Sequence, residues 1–149
     1  MVVLLVTITT SASVGILSSW LVDHLLDQRI ALLGSFAGLE LSHNPGIAFG
    51  FRLPPVVQEI LIAVALVIVG IIAVRSSLRS GRSRSSATEG AFGLILGGGI
   101  ANIIDRIPDG LVTDFIQIGT FPTFNVADSC ITIGAALLLW EGWRQHRAH

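Results

Sequence analysis

The first 22 residues of the chain contain no charged side chain, and this constrains the fold most. A second run, residues 56–74, is apolar apart from two polar residues near its start. A helix needs about 20 residues to cross a hydrocarbon core about 30 Å thick. We therefore predict membrane-spanning helices at about 3–23 and 56–75. A signal peptide cleaved near residues 11–13 is the alternative for the first run, but a positively charged start is missing.

The composition supports the same conclusion and excludes several classes of protein. Of the 149 residues, 52% are hydrophobic and only 13% are charged, with a mean hydropathy of +0.77. Soluble domains usually carry about 25% charged residues, so a soluble monomer is excluded. A chain this apolar does not remain unfolded in water. Nine basic residues stand against ten acidic ones, and this balance gives no support for nucleic-acid binding.

Two further apolar segments complete a predicted set of four spans. Residues 89–105 are rich in glycine, and residues 124–142 include Asp128. We assign both to the membrane because a soluble core helix does not fit beside two membrane spans. The prediction is an all-α integral membrane protein with four transmembrane helices and a small strand or flap region on its outer face. It forms one membrane-embedded domain over residues 1–149.

The arginines predict the orientation in the membrane. Six of the nine lie in residues 75–84, between the second and third spans, and in residues 144–147, after the fourth. Short basic loops stay in the cytoplasm, so we expect both termini there. Residues 24–55 and 105–123 would then lie on the outer side. In the first of these regions the alternation over residues 39–43 predicts a short strand, followed by an Asn-Pro-Gly turn.

Asp114 and Asp128 are the acidic residues that most suggest chemistry. An ionisable side chain at the centre of a membrane helix costs about 2.5–3.5 kcal/mol and usually marks function or a buried pair. Asp114 precedes a turn and Asp128 begins the fourth span, so the hairpin could bring both carboxylates together at the outer boundary. Such a pair ionises one group at a time. It can accept a proton from water and donate one to a scissile amide.

Other uses of these acids remain open at this point. Asp128 could be a carboxylate favoured by the dipole at the start of a helix, and Asp114 could be a loop residue. A small proton-coupled membrane transporter or accessory protein would also use acids in the membrane. We interpret Glu59 as an interfacial residue, and Glu89 as a partner of Arg84 in the basic linker.

Four glycines in the third span are predicted to serve helix packing. They lie within an apolar helix, two of them have the small-residue spacing typical of helix contacts, and no lysine-serine or lysine-threonine pair follows them. The residues are Gly93, Gly97, Gly98 and Gly99.

Four motifs, in order along the chain, resemble those of the lipoprotein signal peptidases, the signal peptidase II family. They are residues 44–50 (NPGIAFG), residues 98–106 (GGIANIIDR), residues 112–116 (VTDFI) and residues 124–129 (FNVADS). The family consists of bacterial membrane aspartic proteases that remove the signal peptide from prolipoproteins, cutting before a cysteine that carries diacylglycerol. The resemblance therefore implies this activity, in the bacterial cytoplasmic (inner) membrane, with the active site at its outer face.

The resemblance also implies roles for individual residues. Asp114 and Asp128 occupy the two catalytic positions. Supporting or substrate-binding roles fall to Asn44, Asn102, Arg106 and Asn125. Asn102 and Arg106 are four residues apart and share one helix face, and Arg106 could bind a substrate carbonyl or offset the negative charge of the carboxylates.

Asp105 and the end of the first span are less regular. We expect Asp105 to orient Arg106 or to cap the chain locally. The acid that the family has at the end of the first span is matched by Asp23, and Asp27 offers a rival alignment. The expected partners are diacylglyceryl-prolipoprotein substrates, the lipid bilayer and globomycin-type inhibitors, with no metal and no cofactor.

Overall fold

The computed structural model describes residues 1–46, 54–78 and 85–147. In these ranges the chain forms long helices and a small sheet. The helices are α1 (Val2–Leu25), α2 (Pro55–Leu78), α3 (Ser86–Arg106) and α4 (Val126–His146). The strands are β1 (Ile30–Leu33), β2 (Ala37–Asn44), β3 (Val112–Ile118) and β4 (Phe121–Phe124).

Three helices in the described ranges, α1, α2 and α3, are long and apolar enough to cross a membrane. The predictions at 3–23, 56–75 and 89–105 are therefore confirmed in length and composition. Large apolar side chains on the outward face of α2 are exposed, as a lipid environment favours, among them Ile60, Val64, Val67 and Ile71. The chain is a multi-pass membrane protein. The helix α4 forms where the fourth span was predicted and has the same length as α3, 21 residues.

The helix α3 lies at the centre of the helical part and packs against α1, α2 and α4. Its glycines allow this close approach. A Cβ atom placed on Gly93 would lie 2.6 Å from Thr7 Cβ, and one on Gly98 would lie 2.5 Å from the Ala127 carbonyl oxygen. Real Cβ atoms do not approach neighbours so closely. The packing interpretation of the glycine-rich segment is confirmed.

The structure is mostly helical, as predicted, and the predicted strand or flap region is a four-stranded antiparallel sheet in the order β1-β2-β3-β4. The strand expected over residues 39–43 is part of β2. Strand β3 was not predicted, because it shows no alternation of apolar and polar residues. Its residues Val112, Thr113, Asp114 and Phe115 are all buried. Where both faces of a strand are covered, the period of two disappears.

Two caps explain why the helices begin away from the predicted bounds. Ser85 accepts a hydrogen bond from the Ala87 N–H, so α3 begins at Ser86. Asn125 accepts one from the Asp128 N–H, so α4 begins at Val126 and Phe124 ends β4. Asn and Ser are among the preferred helix N-caps.

Candidate active site

Strand β3 carries Asp114 into the interior, where its side chain is 2% exposed. The strand pairs with β2 so that Asp114 stands opposite Ser42. On its other side, Asp105 at the end of α3 accepts a hydrogen bond from the Thr113 N–H at 2.7 Å. Asp105 therefore fixes the strand one residue before Asp114. This is the local capping that the sequence suggested for Asp105.

The first turn of α4 carries Asp128. Asn125 caps this turn by accepting the Asp128 N–H at 2.8 Å, which sets the start of the helix. The Asp128 carboxylate accepts a hydrogen bond from Asn102 Nδ2, on α3, at 2.7 Å. A carboxylate in the first turn also interacts favourably with the helix dipole. Strand β3 and the helices α3 and α4 therefore converge on the two aspartates.

A chain of amides joins the two carboxylates. Asn125 is fully buried, and its Nδ2 donates to Asp114 Oδ1 and to Asn102 Oδ1, each at 3.1 Å. Asn44, at the end of β2, donates from Nδ2 to Asp114 Oδ2 at 2.9 Å. Its own Oδ1 accepts the Gly46 N–H at 2.8 Å, which forms the predicted turn. We call Asn44, Asn102 and Asn125 the asparagine network.

Burial raises the pKa of Asp114 from its ordinary value of 3.8 to about 6. The Asn44 hydrogen bond opposes this shift because it favours the ionised form, as does the positive charge of Arg106. The negative charge of Asp128 adds to the increase. A carboxyl group whose pKa lies near neutrality can both accept and release a proton, as general acid–base catalysis requires.

Arg106 is buried beside this network. Its Nη2 donates to the Gly46 carbonyl at 2.7 Å, and its Nη1 donates to the Asn102 carbonyl at 3.3 Å. Nε lies 3.5 Å from a carboxylate oxygen of Glu59, on α2. The guanidinium therefore connects the turn after Asn44 to the α3 residues below the site.

Asp23 contacts β2 rather than a side chain of the asparagine network among the described residues. It is exposed at the end of α1, and its carboxylate is 2.9 Å from His43 Nε2 on β2. This contact ties α1 to the strand that ends at Asn44. Asp27, the rival for the same family position, follows in the exposed loop before β1.

Three polar residues make contacts that the sequence did not predict. Glu59 is the carboxylate partner of Arg106, whereas the sequence suggested an interfacial residue. Gln58 holds the Pro45 carbonyl. The available signal was that two adjacent polar residues interrupt an otherwise apolar span. Glu89 accepts hydrogen bonds from the Met1 ammonium group and from Ser77, while its suggested partner in the basic linker lies outside the described residues. So do residues 47–50 of the first motif.

The fold matches those of solved bacterial membrane enzymes. One, solved by the in meso method at 2.3 Å resolution, superimposes with a TM-score of 0.81 over 96% of this chain and 88% of that chain, at 22% identity. A second, solved by the same method at 1.9 Å, gives a TM-score of 0.76 over 93% and 90% of the two chains. The chain therefore shares the fold of these solved bacterial membrane enzymes.

Sequence comparison narrows this class to one family. The signal peptidase (SPase) II family matches residues 6–144. The lipoprotein signal peptidase of Chlorobium luteolum is 38% identical over 126 residues, which cover 76% of this chain and 73% of that protein. That of Symbiobacterium thermophilum is 39% identical over 118 residues, covering 76% and 74%. The chain belongs to the signal peptidase II family, and the resemblance predicted from its motifs is confirmed.

Proposed function

We propose that the protein is an aspartic endopeptidase that removes signal peptides from diacylglyceryl-modified prolipoproteins, with Asp114 and Asp128 as the catalytic pair. The observation that carries this proposal is the asparagine network, which links a buried carboxyl group on β3 to a carboxyl group in the first turn of α4. The names of the relatives supply the substrate class. Transport would call for polar groups along a path across the membrane, whereas these groups gather at one end of the helices.

The reaction needs one proton shared by the two carboxyl groups. The ionised carboxylate removes a proton from water as the water oxygen attacks the scissile carbonyl carbon, and the protonated carboxyl gives its proton to the carbonyl oxygen. The C–N bond of the tetrahedral intermediate then breaks: the leaving amine takes the proton that one carboxyl group received from water, and a hydroxyl of the intermediate returns a proton to the other carboxylate, which restores the singly protonated pair. The products are the carboxyl end of the signal peptide and the free amino group of the lipidated cysteine.

The neighbouring residues have supporting roles in this proposal. Amide donors from Asn44 and Asn125 hold the Asp114 carboxylate, and Asn102 holds that of Asp128. Arg106 offsets the negative charge of the pair and presents a donor to the substrate. Asp105 and Asp23 keep β3 and β2 in place.

The membrane arrangement follows from the same proposal. All four helices span the cytoplasmic (inner) membrane as one domain over residues 1–149, with α4 as the fourth span. The basic residues Arg75, Arg144 and Arg147 lie at the end of the helices opposite the sheet, and this supports a cytoplasmic position for both termini. The catalytic pair then lies at the outer face, where the diacylglyceryl chains remain in the bilayer. Globomycin-type inhibitors are expected to block this site.

The test is cleavage of a purified diacylglyceryl-prolipoprotein by the purified protein and by its Asp114→Asn and Asp128→Asn variants. Each variant should lose activity by a factor of about 10³ or more, because neither amide can exchange the catalytic proton. Glu40→Gln is the matched control, since it neutralises an exposed carboxylate of the same sheet that pairs with Arg29. Cleavage at the normal rate by both folded aspartate variants would refute the aspartic mechanism.

A further inference from the structure

A cavity of about 400 Å³ opens beside the asparagine network, between the start of α2 and the end of α3. Its apolar wall consists of Ile103, Ile107 and Leu111, and its polar wall includes Gln58 and Arg106. This volume lies in the range of about 300–1,000 Å³ typical of ligand sites. The cavity is therefore large enough for a short segment of a ligand.

Two residues connect this cavity to the catalytic pair. Pro45 lines it and follows Asn44, which donates to Asp114. Arg106 also lines it and binds the carbonyl of Asn102, whose side chain binds Asp128. A ligand that fills the cavity would therefore lie against the backbone and side chains that hold both carboxylates.

Gln58 lines the cavity and has a side-chain acceptor without a hydrogen bond. The residue is 2% exposed, and its Nε2 donates to the Pro45 carbonyl at 3.1 Å. Its Oε1 is buried and accepts no hydrogen bond from the described part of the chain. Nearly all buried polar atoms in native proteins have a partner, so an acceptor left without one calls for an explanation.

Arg106 also lines the cavity and has a donor without a hydrogen bond. Its Nη1 and Nη2 atoms bind the Asn102 and Gly46 carbonyls. Its buried Nε makes no hydrogen bond with the residues described here. The Glu59 carboxylate lies 3.5 Å from Nε and balances its charge without forming one. Two residues that line the cavity therefore each carry one buried polar atom that makes no hydrogen bond in the described part of the chain.

These two groups together select a chemical class of ligand. A peptide main chain offers N–H donors and carbonyl acceptors at fixed spacing, and so can satisfy both atoms. The ester groups of a diacylglyceryl lipid offer acceptors only, and would leave Gln58 Oε1 without a partner at a cost of about 1–3 kcal/mol for a buried group. The pair of unused atoms therefore favours peptide over lipid.

We propose that Gln58 is a substrate-binding residue whose side-chain oxygen accepts a hydrogen bond from one main-chain N–H of the prolipoprotein, while Arg106 Nε donates to a nearby carbonyl of the same segment. The inference rests on the proposed function, because it takes the substrate to be a peptide. Gln58 would be a second substrate contact beside the expected contact of Arg106. It lies on α2, outside the four family motifs.

The test pairs a protein variant with a substrate variant. A set of lipidated prolipoprotein peptides, each with one amide near the scissile bond replaced by an ester, removes one N–H at a time. With the wild-type protein, one ester position should raise KM about tenfold and change kcat little. With Gln58→Met, which keeps the size of the side chain but removes its amide, KM should be about tenfold higher for the all-amide peptide, and that ester should add nothing.

Two further variants separate substrate binding from folding. Gln58→Glu keeps the side-chain acceptor but loses the donor to Pro45, so it should still show the ester effect. Gln117→Met is the matched control, because Gln117 also donates to a backbone carbonyl, that of Gly119, but its oxygen already accepts from Arg29. It should behave as the wild type.

The outcomes distinguish the two proposals. If the wild type cleaves the peptides but every ester has the same effect in wild type and Gln58→Met, the Gln58 contact is refuted and the proposed function stands. If the wild type cleaves none of the peptides, including the all-amide one, the proposed function is refuted and the contact with it.

Discussion

The two halves of α3 meet their neighbours in opposite ways. Over residues 93–99 the helix presents glycines, and the surfaces of α1 and α4 approach its backbone directly. Over residues 102–106 it presents Asn102, Asp105 and Arg106, whose side chains reach the sheet, the turn after β2 and α4 by hydrogen bonds. At the glycines of the first half the backbone itself forms the contact, whereas the second half makes its contacts through polar side chains.

This difference separates two tasks within one helix. Helices in lipid gain little from the hydrophobic effect, so close packing of small residues stabilises their contacts. That packing fixes where the helix axes lie. Hydrogen bonds at the polar end then fix individual atoms, because their energy depends on distance and angle. We therefore expect changes in the glycine half to affect stability, and changes in the polar half to affect activity.

The largest loss of stability should come from Gly97→Ala. A Cβ on Gly97 would overlap Ser11 Oγ and lie 2.6 Å from the Ile8 carbonyl oxygen. Backbone cannot yield as a flexible side chain can, and overpacking costs about 1–3 kcal/mol. We expect the free energy of unfolding in detergent to fall by about 2–3 kcal/mol, measured by denaturant titration.

Gly90 provides a matched control on the same helix. A Cβ at Gly90 meets no atom within 4 Å. Alanine is favoured over glycine in a helix by about 1 kcal/mol, so Gly90→Ala should leave stability unchanged or raise it slightly. If the two variants were equally stable, close packing in the glycine half would not stabilise the fold.

At the start of α4, beside the polar half of α3, Asn125→Ser should reduce activity much more than stability. Serine is as good an N-cap as asparagine, but it lacks the amide that donates to Asp114 and Asn102. We expect kcat to fall by a factor of about 10², equivalent to about 2.7 kcal/mol of transition-state stabilisation. Cleavage of the lipidated substrate measures this loss.

Ser85→Ala is the complementary control. It removes the N-cap of α3, which does not contact the catalytic pair, and a lost cap costs about 1 kcal/mol of stability. It should lower the unfolding midpoint and leave kcat unchanged. Equal losses of kcat in Asn125→Ser and Ser85→Ala would mean that the asparagine network acts only through folding.

The sequence predicted the parts of this molecule that depend on local pattern. Long apolar runs identified α1 and α2, and the spacing of glycines predicted the packing half of α3. The predicted turn at Asn44 follows from an Asn-Pro-Gly sequence. Each signal lies within a few residues and needs no knowledge of distant contacts.

The sequence could not predict contacts that depend on distant segments. Strand β3 has no alternation because both its faces are covered. The ion pair of Glu59 with Arg106 joins residues 47 positions apart in the sequence. The local sequence around either residue does not indicate its partner. Gln58 was passed over for the same reason. In the hydropathy pattern, Gln58 and Glu59 appear only as polar interruptions near the end of a span.

The smallest of these effects should be the dependence of stability on pH. Folding raises the pKa of Asp114 from 3.8 to about 6, so the folded protein binds this proton more tightly than the unfolded chain does. The contribution is therefore fully present below pH 3.8 and is lost as pH rises through about 6. Between about pH 5 and 7 the loss should be about 1 kcal/mol, because a tenfold change in proton affinity is worth about 1.4 kcal/mol.

Asp114→Asn stays neutral and should remove this part of the pH dependence of the thermal unfolding midpoint, whereas Glu40→Gln should preserve it. If the slope is unchanged in Asp114→Asn, another group titrates in this range. The burial of Asp114 would then give no support to its proposed role as a proton carrier.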